Sequence, residues 1–232
     1  MFNDQQRWVK IVLAVLFLII LIFPLLVEVE ESYTITFLFQ AFLFVAISQG
    51  WNLVAGYTGQ ISLGQHAFLG VGAYATGIAW MAGWVGFFDP RAFLLSAIAP
   101  ALLAVIVGIP LLSKLRGDYL SLGTLGLGEI MKVLFTQGGR ITGGATGLLL
   151  PSSSYNSMMP YYYLGLGLAV GSTIIGWLLV RSKIGTAWIC IRDDEQAASS
   201  CGISLLKYKI VALAVAGAFF CKLRETLEVK SC

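Results

Sequence analysis

The stretch Ala92–Leu112, AFLLSAIAPALLAVIVGIPLL, contains no charged residue, and Arg91 and Lys114 stand just outside it. As a helix rising about 1.5 Å per residue it is long enough to cross a hydrocarbon layer of about 30 Å. The pattern recurs on both sides. Runs of similar character cover Trp8–Val27, Thr34–Leu53, Leu63–Ala82, Tyr119–Gln137 and Tyr161–Val180, and a seventh begins near Ile210. Across 232 residues, 58% are hydrophobic and only 12% charged, whereas a soluble domain is about a quarter charged. The expected fold is an all-α polytopic membrane protein, with six full spans and a partial seventh in one transmembrane domain over residues 1–232.

The joins are polar or rich in Gly and Pro: Glu28–Tyr33, Gly83–Arg91, Ser113–Asp118 and Gly138–Pro160. The first run follows Arg7 and Lys10 and lacks a small-residue cleavage site, so it reads as an uncleaved span, not a signal peptide. Lys and Arg mark the cytoplasmic side of a membrane protein. With the N-terminus inside, Arg7, Lys10, Lys114, Arg116, Arg181, Lys183, Arg192, Lys207 and Lys209 fall inside, and only Arg91 and Arg140 outside. The last run, Ile210–Cys221, is apolar for 12 residues before KLRETLEVKSC. Such a run rises about 18 Å, too little to cross, and the expectation is a permease chain truncated within a span.

The net charge of +3 is small and its basic residues sit between spans, which excludes a nucleic-acid surface. Cys190, Cys201, Cys221 and Cys232 form no CxxC pair, and His66 is the single histidine. That argues against a metal site and a disulfide framework. No GxxxxGK[ST] is present, so any ATP hydrolysis belongs to another chain. No catalytic residue and no cofactor are called for.

The longest hydrophilic stretch is Arg181–Lys209, RSKIGTAWICIRDDEQAASSCGISLLKYK, with five basic and three acidic residues. Asp193 with Gln196 three residues later has capping-box spacing. Acids favour the positive end of a helix, and Gly202 suits a helix stop. A helix of about two turns is expected over Asp193–Gly202. It is read as a solvated loop helix or as a docking helix for a motor subunit. AASSCGIS resembles the turn of a helix-turn-helix, but a segment tethered between spans has no core of its own.

Three further stretches bear on transport. Gly56–Gly77, GYTGQISLGQHAFLGVGAYATG, crowds glycines between two spans. Gly59, Gln60, Ser62, Gly64, Gln65 and His66 stand at the start of the third span, and Gly72/Thr76 has the spacing that lets membrane helices approach. Irregular backbone at membrane depth must be buried in protein or line a wet cavity. The stretch is either a broken segment beside a transport path or a tight turn followed by a close-packed helix. Glu129 is an ionisable residue inside an apolar run, a kind that usually faces the bundle interior; with Lys132 three residues on to neutralise it, it reads as a structural ion pair near a helix end or as a substrate or proton contact. Gly138–Gly147, GGRITGGATG, reads as a flexible extracytoplasmic loop.

GYTGQISLGQHAFLGVGAYATG, RGDYLSLGTLGLGEIMKV, ITGGATGL and IGTAWICIRDDEQAASSCGISLLKYKIVALAVAGAFF, in that order, resemble the ABC transporter permeases for branched-chain amino acids, closest to the M-type subunit. The likeness covers roughly Trp51 to Phe220. It implies an inner-membrane permease working by alternating access with a second permease subunit, cytoplasmic ABC ATPases and a periplasmic solute-binding protein. Ile184–Ser204 matches the family's coupling segment, which gives Arg192, Asp193, Asp194, Glu195, Ala197, Ala198 and Gly202 a role in ATPase coupling. The chain departs from the family after Phe220. Two other functions would leave different marks. An ion-coupled carrier would need paired charges at a central site, for which Glu129 and Lys132 are the candidates. A structural membrane subunit of a redox complex would need histidines within spans.

Overall fold

The computed structural model describes residues 18–25, 33–86, 89–115, 117–148 and 159–219, with only the backbone at Arg140. Most of the first expected span, the join at residues 26–32, Arg116, and the tail with Cys221 and Cys232 lie outside the described residues. Those described are helical and turn segments without a strand. Helix α1 is seen over 18–25. It is followed by α2 Tyr33–Trp51, a π-helical turn Asn52–Tyr57, α3 Gln65–Met81, α4 Pro90–Lys114 and α5 Asp118–Gln137. Next come the short α6 Gly139–Thr142, a 3₁₀ turn Gly144–Thr146, α7 Met159–Arg181, α8 Lys183–Asp193, α9 Glu195–Ser200 and α10 Leu205–Phe219.

Helix α4 packs its small side inward. Helix α4 buries Ala92, Ser96, Pro100, Ala104, Gly108 and Leu112, a ridge at every fourth position. Its large residues Leu94, Ile98, Leu102 and Ile106 stay exposed. Lipid is as apolar as leucine, so bulk gains little by facing inward, while small residues let backbones approach. Two neighbours close on that ridge. A Cβ on Gly72 of α3 would sit 3.1 Å from Pro100 and from the Ser96 carbonyl, and one on Gly217 of α10 would sit 3.4 Å from Pro100. On the other side α2 packs on α7, with Gly165 against the Phe39 ring and the Phe42 and Tyr162 rings edge to face at 5.3 Å. The Tyr162 hydroxyl donates to the Ile20 carbonyl at 2.7 Å, tying α1 to α7.

Helix α4 starts where its sequence dictates. Asp89 accepts from the Arg91 N–H at 3.0 Å, and Pro90 occupies the first turn, where its missing N–H is harmless. Among the described residues three stretches are long and apolar enough to cross a membrane unaided: Tyr33–Tyr57, Pro90–Lys114 and Met159–Arg181. Helix α3 has 17 residues, and α5 carries Asp118, Glu129 and Lys132.

The Gly138–Gly147 stretch is not the flexible loop its glycines suggested. The Thr142 hydroxyl donates to the Phe135 carbonyl at 2.6 Å, and the Thr146 hydroxyl donates to the Gly143 carbonyl at 2.7 Å. Gly143 and Gly147 both adopt φ of +74°. These glycines supply left-handed backbone to a compact turn, not slack.

Candidate functional site

The hydrophilic stretch folds as two helices, not one. The Ser182 hydroxyl accepts from the Ile184 N–H at 3.2 Å and starts α8 directly after α7. The junction is tight, because a Cβ on Gly185 would run into the Val180 carbonyl. Helix α8 buries Gly185, Ala187, Trp188 and Ile191, a face with helical period. Trp188 is fully enclosed among Leu53, Ala212 and their neighbours, and its indole N–H donates to the Tyr208 carbonyl at 2.9 Å.

The cap of the second helix is Asp194, and not Asp193 as the spacing suggested. Helix α8 runs through Asp193, which keeps that residue helical. Asp194 adopts extended backbone (φ −157°, ψ 113°), and its carboxylate accepts from the Gln196 and Ala197 N–H groups at 2.7 and 3.1 Å. Gly202 does close α9. It has φ of +82°, its N–H donates to the Ser199 carbonyl, and the Ile203 N–H donates to the Ala198 carbonyl. This is the paired pattern of a Schellman stop.

The charges of this segment divide by direction. Glu195 turns inward, accepting from Lys209 Nζ at 2.6 Å, with Lys209 only 5% exposed. Ala198 is buried as well. Asp193, Asp194, Ala197 and Gly202 face outward. Arg192 pairs with Asp193 at 3.4 Å and reaches across to donate to the Gly56 carbonyl at 3.2 Å. Gly56 lies in the last turn of the α2–π helix, where a cation meets the negative helix end.

That contact links α8 to the glycine-rich stretch. After the π turn, the Thr58 hydroxyl and the Gln60 N–H both donate to the Val54 carbonyl, at 2.6 and 3.1 Å. The chain turns at Gly59 (φ +68°), where an added Cβ would sit 2.8 Å from Arg192 Cγ. Residues 58–64 then run outside any helix before α3 begins at Gln65. Helix α5 flanks this run. The Ser121 hydroxyl donates to the Ile61 carbonyl at 2.8 Å, and the Leu63 N–H donates to the Thr124 hydroxyl at 3.0 Å. A Cβ on Gly64 would run into the Thr124 carbonyl, and one on Gly128 into the His66 imidazole. Gly128 is the eleventh residue of the twenty in α5, so His66 meets α5 about halfway along its length. The run therefore sits between α8 on one side and α5 on the other.

The polar side chains of this run are not equally provided for. Gln60 Nε2, Ser62 Oγ and both amide atoms of Gln65 are enclosed without a hydrogen-bond partner among the described residues. Gln60 is 7% exposed and Ser62 2%. A buried donor left unpaired costs about 1–3 kcal/mol. Gly72 sits apart from them, against α4. Glu129 lies on the outer side of α5, 60% exposed and 3.5 Å from Lys132, not facing the interior of this bundle. Among the described residues no group of three His, Cys, Asp or Glu comes together to hold a metal.

Sequence reasoning missed Lys209, Trp188, Ser121, Thr124 and Gly128. For the last three a signal existed, since Ser121, Thr124 and Gly128 share one helical face at i, i+3 and i+7. For Lys209 there was none, because a lysine at the head of an apolar helix looks like a surface charge.

Long apolar helices, several of them able to cross a bilayer, mark a multi-pass membrane protein. The chain belongs to the branched-chain amino acid transport system/permease component family, whose model matches residues 33–219. It is similar to the high-affinity branched-chain amino acid transport system permease protein LivM of Salmonella typhimurium, with 31% identity over 208 positions, 76% of this chain and 48% of that protein. The LivM protein of Escherichia coli is 30% identical over the same shares. The chain thus spans about half the length of the curated relatives it matches. No solved structure matches at a significant level.

Proposed function

We propose that this chain forms part of the permease of an ATP-driven importer for branched-chain amino acids (leucine, isoleucine, valine) or related small amino acids or amides. In this reading it lies in the inner membrane with its N-terminus in the cytoplasm. Six spans and a seventh begun by α10 cross or enter the bilayer, and α3 starts inside it. Its partners are a second permease subunit, cytoplasmic ABC ATPases and a periplasmic binding protein. The α8–α9 pair is the coupling segment. Its outward residues Asp193, Asp194, Ala197 and Gly202 meet the ATPase, while Arg192, Glu195 and Ala198 hold the pair to the bundle.

The observation that carries this reading is the two-sided character of α8–α9. One face is open, and the other is bonded to α10 through Glu195–Lys209 and to the α2–π helix through Arg192–Gly56. A push on the open face reaches α10 and the π turn that leads into the broken segment. Alternating access then follows if ATPase closure favours one of two bundle arrangements by differential affinity.

The test is reconstitution of the whole importer in proteoliposomes. Leucine uptake should require ATP and binding protein. Ala197→Trp, on the exposed face, should suppress binding-protein-stimulated hydrolysis while the membrane complex remains folded. Uptake driven by a proton or sodium gradient in the absence of ATPase would overturn the reading.

A further inference from the structure

We infer that the start of α3 is a carboxylate-binding site, formed by Gln60, Ser62 and Gln65 around the N-terminus of that helix. It takes the α-carboxylate of the small apolar amino acid being moved. The choice of amino acid rests on the transport reading above; the carboxylate chemistry does not.

Two independent observations fall on the same six residues. The first is the helix end. Helix α3 begins at Gln65 after Gly64, and no side chain caps it. The N–H groups of its first turn carry the positive end of the helix dipole, a ready place for an anion. The second is the set of enclosed polar atoms without a partner: two amide nitrogens, a hydroxyl and one amide oxygen, all within six residues of chain. A carboxylate accepts from several donors at once, and the nitrogens of Gln60 and Gln65 with the Ser62 hydroxyl supply three. Gln65 Oε1 remains as an acceptor for an ammonium. No side chain in the trio carries charge, so a zwitterion meets dipoles and not a fixed ion. Such a ligand can enter and leave.

The placement suits passage. The segment is joined to α5 by the Ser121 and Thr124 hydroxyls and lies next to Arg192 at Gly59. The residues proposed to hold the carboxylate thus lie between α8 and α5.

The test measures binding to the full chain in lipid nanodiscs by saturation-transfer NMR, against empty nanodiscs. The probes are leucine, isovalerate and isopentylamine. Leucine and isovalerate should show transfer from the protein, and isopentylamine should not. Gln60→Met and Gln65→Met, similar in shape but without donors, should each weaken leucine binding about tenfold. Neither should lower the thermal unfolding midpoint, because the amides bond to no protein group. Equal transfer to the amine, unchanged leucine binding in both variants, or a lowered midpoint in both would overturn the site. Isovalerate bound in a glutamine-dependent way without leucine would uphold the carboxylate site and refute the branched-chain substrate instead.

Discussion

Gly59 separates two regions that treat polar groups in opposite ways. On the α8–α9 side, the buried Lys209 has Glu195, the Trp188 indole has the Tyr208 carbonyl, the Arg192 guanidinium has the Gly56 carbonyl, and both ends of α9 are capped. On the other side, Gln60, Ser62 and Gln65 are enclosed without partners. A satisfied polar network is stiff, because every displacement breaks a bond. An unsatisfied one is destabilised until something fills it. The difference teaches where the fold has spent its bonds: one region is tied through its polar groups, and the other leaves them open to a partner.

The comparison breaks first at Trp188. Its side chain is fully buried and fixed at both its apolar body and its N–H. Trp188→Ala should cost about 3–5 kcal/mol, read as the shift in an SDS unfolding titration of the purified chain. A loss below 1 kcal/mol would mean that α8 is not packed as described. Next is the ion pair. Glu195→Gln leaves Lys209 charged and buried, and a broken buried pair costs about 3–5 kcal/mol; with Glu195 34% exposed, the lower end is expected. The double change Glu195→Leu with Lys209→Met should recover most of that loss, since an apolar pair needs no partner. If the double variant is no more stable than Glu195→Gln, the pair is not the link between α9 and α10.

The apolar framework was legible in the sequence because a bilayer demands long, mostly apolar runs, and those runs match α2, α4, α5 and α7 within a few residues. The α8–α9 helix pair was half legible. Gly202 announced the stop, since only its position accepts a positive φ without strain. The start was misread because Asp193 and Asp194 are chemically alike; which of them caps depends on where α8 ends, and that is set by Trp188 and Ile191 packing into the bundle. Glu195 looked like one more surface acid beside them, but its direction is decided by Lys209, fourteen residues away. The joining of the glycine-rich run to α8 was not legible at all. The Arg192–Gly56 contact spans 136 residues, and no local pattern encodes such a meeting.

The smallest effects sharpen the comparison within a single dipeptide. Asp194 accepts two backbone N–H groups at the start of α9, so Asp194→Ala should cost about 1 kcal/mol. Asp193 makes a surface pair with Arg192, with 66% of its side chain exposed. Exposed pairs contribute about 0–1 kcal/mol, and Asp193→Ala should fall at the low end. Asp194→Asn, which keeps a capping oxygen, should restore most of the stability lost in Asp194→Ala. In the SDS titration the order should be wild type, Asp193→Ala, Asp194→Asn and Asp194→Ala. Function should separate the two positions differently. Among the described residues Asp193 pairs with its neighbour Arg192 alone, so a loss of binding-protein-stimulated hydrolysis in Asp193→Lys without a loss of stability assigns it to the docking face. Equal stability losses at Asp193 and Asp194 would instead move the boundary between α8 and α9, and with it the direction in which Glu195 points.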